Sequence, residues 1–440
     1  MRKPIFTLSL AIILLTAQAA SFQIGCQTKE QPSTRQERTS SELYREADEY
    51  IRRKIVPGRQ PSPEMMGMLK DQQKEVARRN ATELSARSNR TPRDNYYLGL
   101  LYHLGEDHQR TVDTLKKFLT DNPDFDITGL QSARAIIAIH ALKLNQLDEA
   151  EKIVAEYANN KPQSAENRYA IETDLAYALF RARQYERVPE HARGAFEAVK
   201  QIRTRRTSDV FERDDRLLSL SSLMADAYYK SKRKDDALNA IRELKDLSLD
   251  LPSANLYRAV RNKLREMGKW NEADSLVEVE KAKYESPEIV INHWLDQEKF
   301  KLADLRGNVV ILDFWATWCG PCHRTFPKLT RWQERYRDKG LIVIGATEFY
   351  GEQDGVRMTR EEELNYLNEF RKKFRLNYHI GVENGRANSF NYGIKGIPTT
   401  VLIDRRGMVR FISVGVSDEE LSLLDGMVNK LVKEAGGSTP

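Results

Sequence analysis

Cysteine is almost absent from this chain: its 440 residues include only Cys26, Cys319 and Cys322. Three cysteines cannot staple a disulfide scaffold, and a chain longer than the ~250–300 residues at which one core stops growing folds as two or more domains. Four-cysteine zinc binding is excluded too, because there is no second pair and His323 alone cannot complete a tetrahedral site beside Cys319 and Cys322. A strong excess of one charge is also missing, with 70 basic and 64 acidic residues and a formal charge of +6. The densest basic spots are Arg203, Arg205 and Arg206, and the run Arg371-Lys372-Lys373-Phe374-Arg375. Neither alternates with aromatics that could stack bases, so both read as solvated faces and nucleic acid is not an expected partner. Long apolar runs are scarce as well: Ile5 to Leu15 falls short of the ~20 residues of a spanning helix.

That short run has a different use. Arg2 and Lys3 precede it and Ala17-Gln18-Ala19 follows it, which together form a secretory signal over residues 1–20. Ile24-Gly25-Cys26 partly resembles the lipobox of bacterial lipoproteins, although Gln23 departs from that pattern. Cleavage near Ala19 and cleavage before a lipidated Cys26 both stay open, and both export the chain to a periplasmic or other extracytoplasmic space. Residues 21–41, rich in Gln, Ser, Thr and charge, have too little apolar content to pack and read as a flexible linker.

Helical signals fill residues 42–286. Breaks at Pro57-Gly58 and Pro61-Ser62-Pro63 separate the first helices, Ser41 to Ile55 and Ser62 to Ser88. From Asn95 to Glu280 small and aromatic residues recur: Leu98, Gly99, Tyr102, Leu115 and Phe118, then Ala138, Ala141, Ala150, Val154 and Tyr157, with looser units after them. These positions resemble a degenerate tetratricopeptide array. No such unit buries its apolar stripe alone, so the units stack into a solenoid that is either a partner-binding surface or a spacer.

After Ser286-Pro287 the pattern changes to alternating strands and helices, the mark of an α/β domain over 287–440. Ile289 to Leu295 and Phe300 to Leu302 read as an edge hairpin. Val309 to Trp315 reads as a fully buried strand, and Ser417 with Glu420 as a capping box for a closing helix from Asp418. Trp318-Cys319-Gly320-Pro321-Cys322 sits directly behind the buried strand. Pro321 suits the first turn of a helix, so Cys319 lands on the helix N-terminus, where unpaired amides favour its thiolate. Cys322, three residues on, shares that helix face. With zinc excluded, the pair is a redox dithiol or a structural clip, and Trp318 before it, Gly320-Pro321 within it and the buried strand behind it favour the redox reading. Asp313 lies inside the buried strand, where desolvation raises its pKa and suits it to proton transfer.

Leu305-Arg306-Gly307, then Val309 to Cys319, is similar to the TlpA/ResA-like exported thiol-disulfide oxidoreductases of the thioredoxin superfamily, across the last third of the chain. The fold implied is an N-terminal helical-repeat solenoid followed by a thioredoxin-fold α/β domain. The resemblance implies that Cys319 attacks a partner's disulfide and that Cys322 resolves the mixed disulfide. It gives Ile397-Pro398-Thr399 a cis peptide bond beside the disulfide, in a substrate groove formed with Trp318, Gly320 and Pro321. Thioredoxin-like proteins carry an acid at the place of Asp313, whereas many ResA-like members carry a glutamate after the next core strand, here Glu348; this chain has both. Pro327 matches a helix-kink proline, Phe349 to Phe374 fills the place of the group's extra segment, and His323 reads as exposed.

The resemblance implies a protein-disulfide reductase with a disulfide-containing protein substrate, an upstream thiol electron donor, no cofactor and no metal, while the concave face of the solenoid suggests a protein partner for the helical repeats. Cytochrome c maturation is one task it points to. A binding scaffold with a redox-sensing domain is the alternative from another class. A peroxiredoxin-type peroxidase ranks below both, because Leu312 and Ala316 stand where that family needs Pro and Thr or Ser.

Overall fold

The computed structural model describes residues 37–55, 61–295, 299–353 and 355–434. The expected signal segment, Cys26 and the linker up to residue 36 lie outside the described residues. The chain divides into two compact units, one ending at Gln201 and one beginning at Ile202. The change of character at Ser286-Pro287 falls inside the second. No helix among the described residues is long and apolar enough to cross a membrane.

The first unit is built from α1 (Ser40–Asp48), α2 (Tyr50–Lys54), α3 (Pro63–Ser85), α4 (Pro92–Leu104), α5 (His108–Asp121), α6 (Ile127–Lys143), α7 (Leu147–Asn159), α8 (Ala165–Arg181) and α9 (Val188–Gln201). Local sequence starts the helices. Thr39 and Thr91 each accept an amide of the first turn, and Glu42 and Asp94 return the bond to the cap amide. Such caps contribute roughly 1 kcal/mol each. From α4 onward consecutive helices pair as hairpins through one kind of turn. The first helix ends in a left-handed residue, Glu106, Asn145 or Arg183. The amides of Asp107, Gln146 and Gln184 then reach back to the carbonyls of Tyr102, Ala141 and Leu179, closing the helix end. Small residues set the approach within a pair: a Cβ on Gly99 would lie 2.3 Å from Leu115 Cδ2, and Ala138, Ala141, Ala150, Ala176, Ala192 and Ala195 are fully buried.

The second unit opens with α10 (Thr207–Lys230), α11 (Lys234–Asp250), α12 (Ala254–Glu266) and α13 (Trp270–Ala273). The same turn recurs at Lys232 and Gly268, with Arg233 and Lys269 donating to the carbonyls of Tyr228 and Leu264. There follow β1 (His293–Trp294), β2 (Val309–Phe314), α14 (Gly320–His323), α15 (Phe326–Tyr336), β3 (Leu341–Glu348), β4 (Glu352–Gln353), β5 (Val356–Arg357), α16 (Arg360–Phe374), β6 (His379–Glu383), α17 (Ala387–Asn391), β7 (Thr399–Ile403), β8 (Val409–Val414) and α18 (Asp418–Lys433).

Six strands form one mixed sheet in the order β1-β6-β3-β2-β7-β8, and β4 and β5 form a separate small hairpin. β2 runs parallel to β3, β3 parallel to β6, and β7 antiparallel to both β2 and β8. All six residues of β2 are buried, as a strand covered on both faces requires. The hydrophobic core does not stop at the start of the sheet: Leu249, Ala254, Tyr257 and Leu276 belong to the same cluster as the strands. Tyr257 meets Phe411 edge-on with ring centroids 5.6 Å apart. Arg261, 3% exposed, pairs with Glu420 and Asp274 at 2.7 Å each.

Two local expectations are corrected. Among the described residues the expected edge hairpin is replaced: His293–Trp294 is a strand that pairs with β6, and Leu302–Leu305 is a 3₁₀ turn. Glu288 takes the Leu302 and Ile289 amides at 2.7 and 3.1 Å, so a carboxylate replaces a ladder. At the closing helix Ser417 does cap the Glu420 amide, but the Glu420 carboxylate turns to Arg261 and Ser413 instead of completing a box.

Candidate active site around the Cys319–Cys322 disulfide

β2 ends at Phe314, and the chain leaves the sheet through Trp315, whose amide still donates to Ala346. Trp315 is buried between Phe326 and Phe370, with ring centroids at 5.2 and 5.5 Å. It anchors the segment that carries the motif. Cys319 is the N-cap of α14, where its Sγ accepts the Cys322 amide at 3.2 Å. The two sulfurs are joined in a disulfide of 2.02 Å. Cys319 is 4% exposed and Cys322 0%, while Trp318 beside them is 55% exposed. Gly320 and Pro321 are exposed at the same tip. Reagents therefore reach the pair from the Cys319 side.

The helix breaks after His323 and resumes at Phe326, with Pro327 in the new first turn. Thr325 Oγ1 donates to the Cys322 carbonyl at 2.8 Å across the break. His323 is not exposed. Its Nε2 donates to the Thr317 carbonyl at 2.9 Å, and its ring packs against Phe326, Phe370 and Phe374. The segment 349–374 supplies two of those rings and also touches the motif through Tyr350, 5.4 Å from the Trp318 ring, and Gln353, which accepts from Thr317 at 2.7 Å.

Asp313 stands between Gly345 of β3 and Thr400 of β7. Thr400 donates to its Oδ1 at 2.7 Å, while Oδ2 is buried and accepts nothing from the protein. Burial pushes this carboxyl up to about 7, and the Thr400 bond opposes the shift only in part. Asp313 thus exchanges its proton near neutrality. The Ile397–Pro398 peptide bond is cis. Ile397 is half-buried and Pro398 buried, with the Pro398 carbonyl held by the Gly415 amide at 2.8 Å.

Glu348 closes β3, half-buried; burial raises its pKa against the pull of Arg386, whose Nε lies 3.6 Å away. Directly across the strand pair stands Glu383, the last residue of β6 and a residue the sequence reading passed over. It is 4% exposed and accepts the Asn388 amide at 3.1 Å. Burial, with the Glu348 charge adding to it, pushes Glu383 up to about 7. Two carboxyls at matched register cannot both ionise cheaply, so the pair holds a proton near pH 7. Among the described residues no His, Cys, Asp and Glu cluster is arranged to hold a metal ion.

The AhpC/TSA family model matches residues 285–412. The thiol-disulfide oxidoreductase ResA of Geobacillus thermodenitrificans is 30% identical to this chain over 135 residues, 31% of this chain and 70% of that protein. ResA of Bacillus anthracis is 28% identical over 147 residues, 33% of this chain and 76% of that protein. This chain belongs to the ResA-like thiol-disulfide oxidoreductases. A solved thioredoxin-family thiol:disulfide interchange protein from Chlorobium tepidum is 25% identical, covering 34% of this chain and 95% of that one, with a TM-score of 0.27. The family match begins at residue 285, so α1–α13 lie outside it. In this oxidoreductase the exchangeable pair is Cys319–Cys322, carried on a thioredoxin-like mixed sheet.

Proposed function

We propose that the chain is an exported protein-disulfide reductase. The observation that carries this reading is the cysteine pair itself: Cys319, 4% exposed, capping a helix beside the exposed Trp318, with a fully buried Cys322 behind it. In the reduced protein the Cys319 thiolate, favoured by the Cys322 amide and the helix end, attacks one sulfur of a client disulfide. A mixed disulfide forms, and the other client sulfur leaves as a thiolate and takes a proton. Cys322 then gives its proton to a carboxylate, attacks Cys319 Sγ and expels the second client thiolate. Asp313 is the proton acceptor in this reading, supported by its unpartnered Oδ2 and its raised pKa; Glu348, backed by Glu383, is a second proton store. Trp318, Gly320, Pro321, Ile397 and Pro398 line the groove for an extended client. Two electrons are spent per turnover, so an upstream thiol donor must re-reduce the pair.

The secretory pattern of residues 1–20 supports export, and Cys26 supports a lipid anchor. The helical hairpins of the first unit are read as the docking surface for a protein partner. With dithiothreitol as donor, the full chain should reduce insulin, Cys319→Ser should abolish turnover, and Cys322→Ser should accumulate a mixed disulfide visible on a non-reducing gel. A pair found fully oxidised in cells, at a strongly oxidising potential, would overturn the reductase direction.

A further inference from the structure

The loop that presents Ile397 and Pro398 to a client is gripped from outside the sheet. The first two free amides of α12 point at it: Ala254 donates to the Tyr392 carbonyl at 2.9 Å and Asn255 to the Gly393 carbonyl at 3.2 Å. Ser253, the cap of α12, holds the Leu256 amide at 3.2 Å and donates its hydroxyl to Asp214 of α10. Asp214 is 1% exposed and is held on its other oxygen by Arg213 at 2.7 Å. The approach is so close that a Cβ on Gly393, whose φ is +55°, would lie 2.6 Å from Ser253 Oγ and 2.9 Å from its Cα. Further along the loop, the Lys395 ammonium sits 5.6 Å from the centre of the Phe211 ring of α10, and Thr399 Oγ1 donates to the Gly396 carbonyl at 2.7 Å. The segment 392–398 is therefore pinned at its start by α12, in its middle by α10 and at its end by its own strand.

We infer that Ser253 and Asp214 are positioning residues of the oxidoreductase, setting through Tyr392 and Gly393 the backbone beside Pro398 on which a protein client is laid. This rests on the groove reading above. A backbone that must pair with an extended client strand is useful only if its carbonyls and amides are already in place, because ordering them on binding is charged against affinity. The disulfide itself does not depend on this grip, since Cys319 is held by β2, α14 and the segment 349–374. The helices α10 and α12 therefore select for protein disulfides, which need the groove, over small disulfides, which need only the sulfur.

The test compares insulin with 5,5′-dithiobis(2-nitrobenzoate) as substrates of the full chain, in the wild type, Ser253→Ala and Gly393→Ala. Ser253→Ala removes the hydroxyl that joins the cap to Asp214 and holds the Leu256 amide, leaves the Ala254 and Asn255 amides in place, and keeps the assay decisive should Gly393→Ala fold poorly. The expected result is a KM for insulin raised roughly fivefold, with kcat and the rate on the small disulfide unchanged. Unchanged KM in an active chain, or equal losses on both substrates, overturns the positioning role alone. A wild type inert toward insulin would bring down the reductase reading and the positioning role with it.

Discussion

Asp313 shows how much a single buried group can carry. Its type and its place inside an apolar run were enough to predict a raised pKa, because desolvation depends on burial, and burial of β2 is written in its own residues. Glu383 was out of reach, since the strand that buries it was unread, and so was the partial burial of His323, which depends on Phe370 and Phe374 arriving from α16. The raised pKa of Asp313 has a consequence for stability. In the unfolded chain its carboxyl titrates near the ordinary value of about 3.9, and in the folded one at about 7. Below the unfolded value the group is neutral in both states and costs nothing. Between the two values the folded state keeps a proton that the unfolded state releases, so stability falls as pH rises, by about 4 kcal/mol once pH passes the folded value. Asp313→Asn removes this titration while keeping an acceptor for Thr400. Its urea midpoint should exceed that of the wild type at about pH 8 and approach it at about pH 4. A gap that does not change with pH would show that Asp313 is not the group responsible.

At the scale of elements, legibility followed the amount of signal each element keeps to itself. β2 and α18 were readable because an apolar run and a capping serine announce them. β6 was not, because His379–Glu383 is polar at both ends with a glycine in the middle, and it becomes a strand by pairing with β3. The helical hairpins lie between these cases: their small residues were legible, while the shared left-handed turn was hidden because five different residues occupy it. Four are not glycine, and each pays a steric penalty that Gly268 avoids. Gly268 has no atom within 4 Å of where a Cβ would stand, so Gly268→Ala isolates the backbone cost. It should lower stability by about 1 kcal/mol, and Lys232→Gly should raise it by up to about 1 kcal/mol, both read from denaturant midpoints at constant slope. A neutral Gly268→Ala would mean that the turn relaxes out of the left-handed region.

For the whole molecule, the composition change at Ser286-Pro287 marks where local pattern switches from helix to alternation, but side-chain packing obeys a different boundary. The core that holds the disulfide includes Leu249, Ala254, Tyr257 and Leu276, and the compact unit begins at Ile202. Arg261 of α12 shares Glu420 of α18 with Ser413 of β8, while Arg410 of β8 pairs with Glu434 at 2.7 Å and donates to the Val277 carbonyl. Cutting at 287 would bare Phe411, take the Arg261 guanidinium away from Glu420 and the Val277 carbonyl away from Arg410, and leave Arg410 only Asp404 and Glu434 within the fragment. Baring Phe411 by removing Tyr257 costs up to about 3 kcal/mol, the full burial of one large side chain. A fragment from Ile202 should therefore unfold in one cooperative transition, and a fragment from Pro287 should unfold at markedly lower urea or bind a hydrophobic dye without denaturant. Equal midpoints for the two fragments would mean that α10–α13 lean on the redox domain without stabilising it, and the family match that starts at residue 285 would then also mark the folding unit.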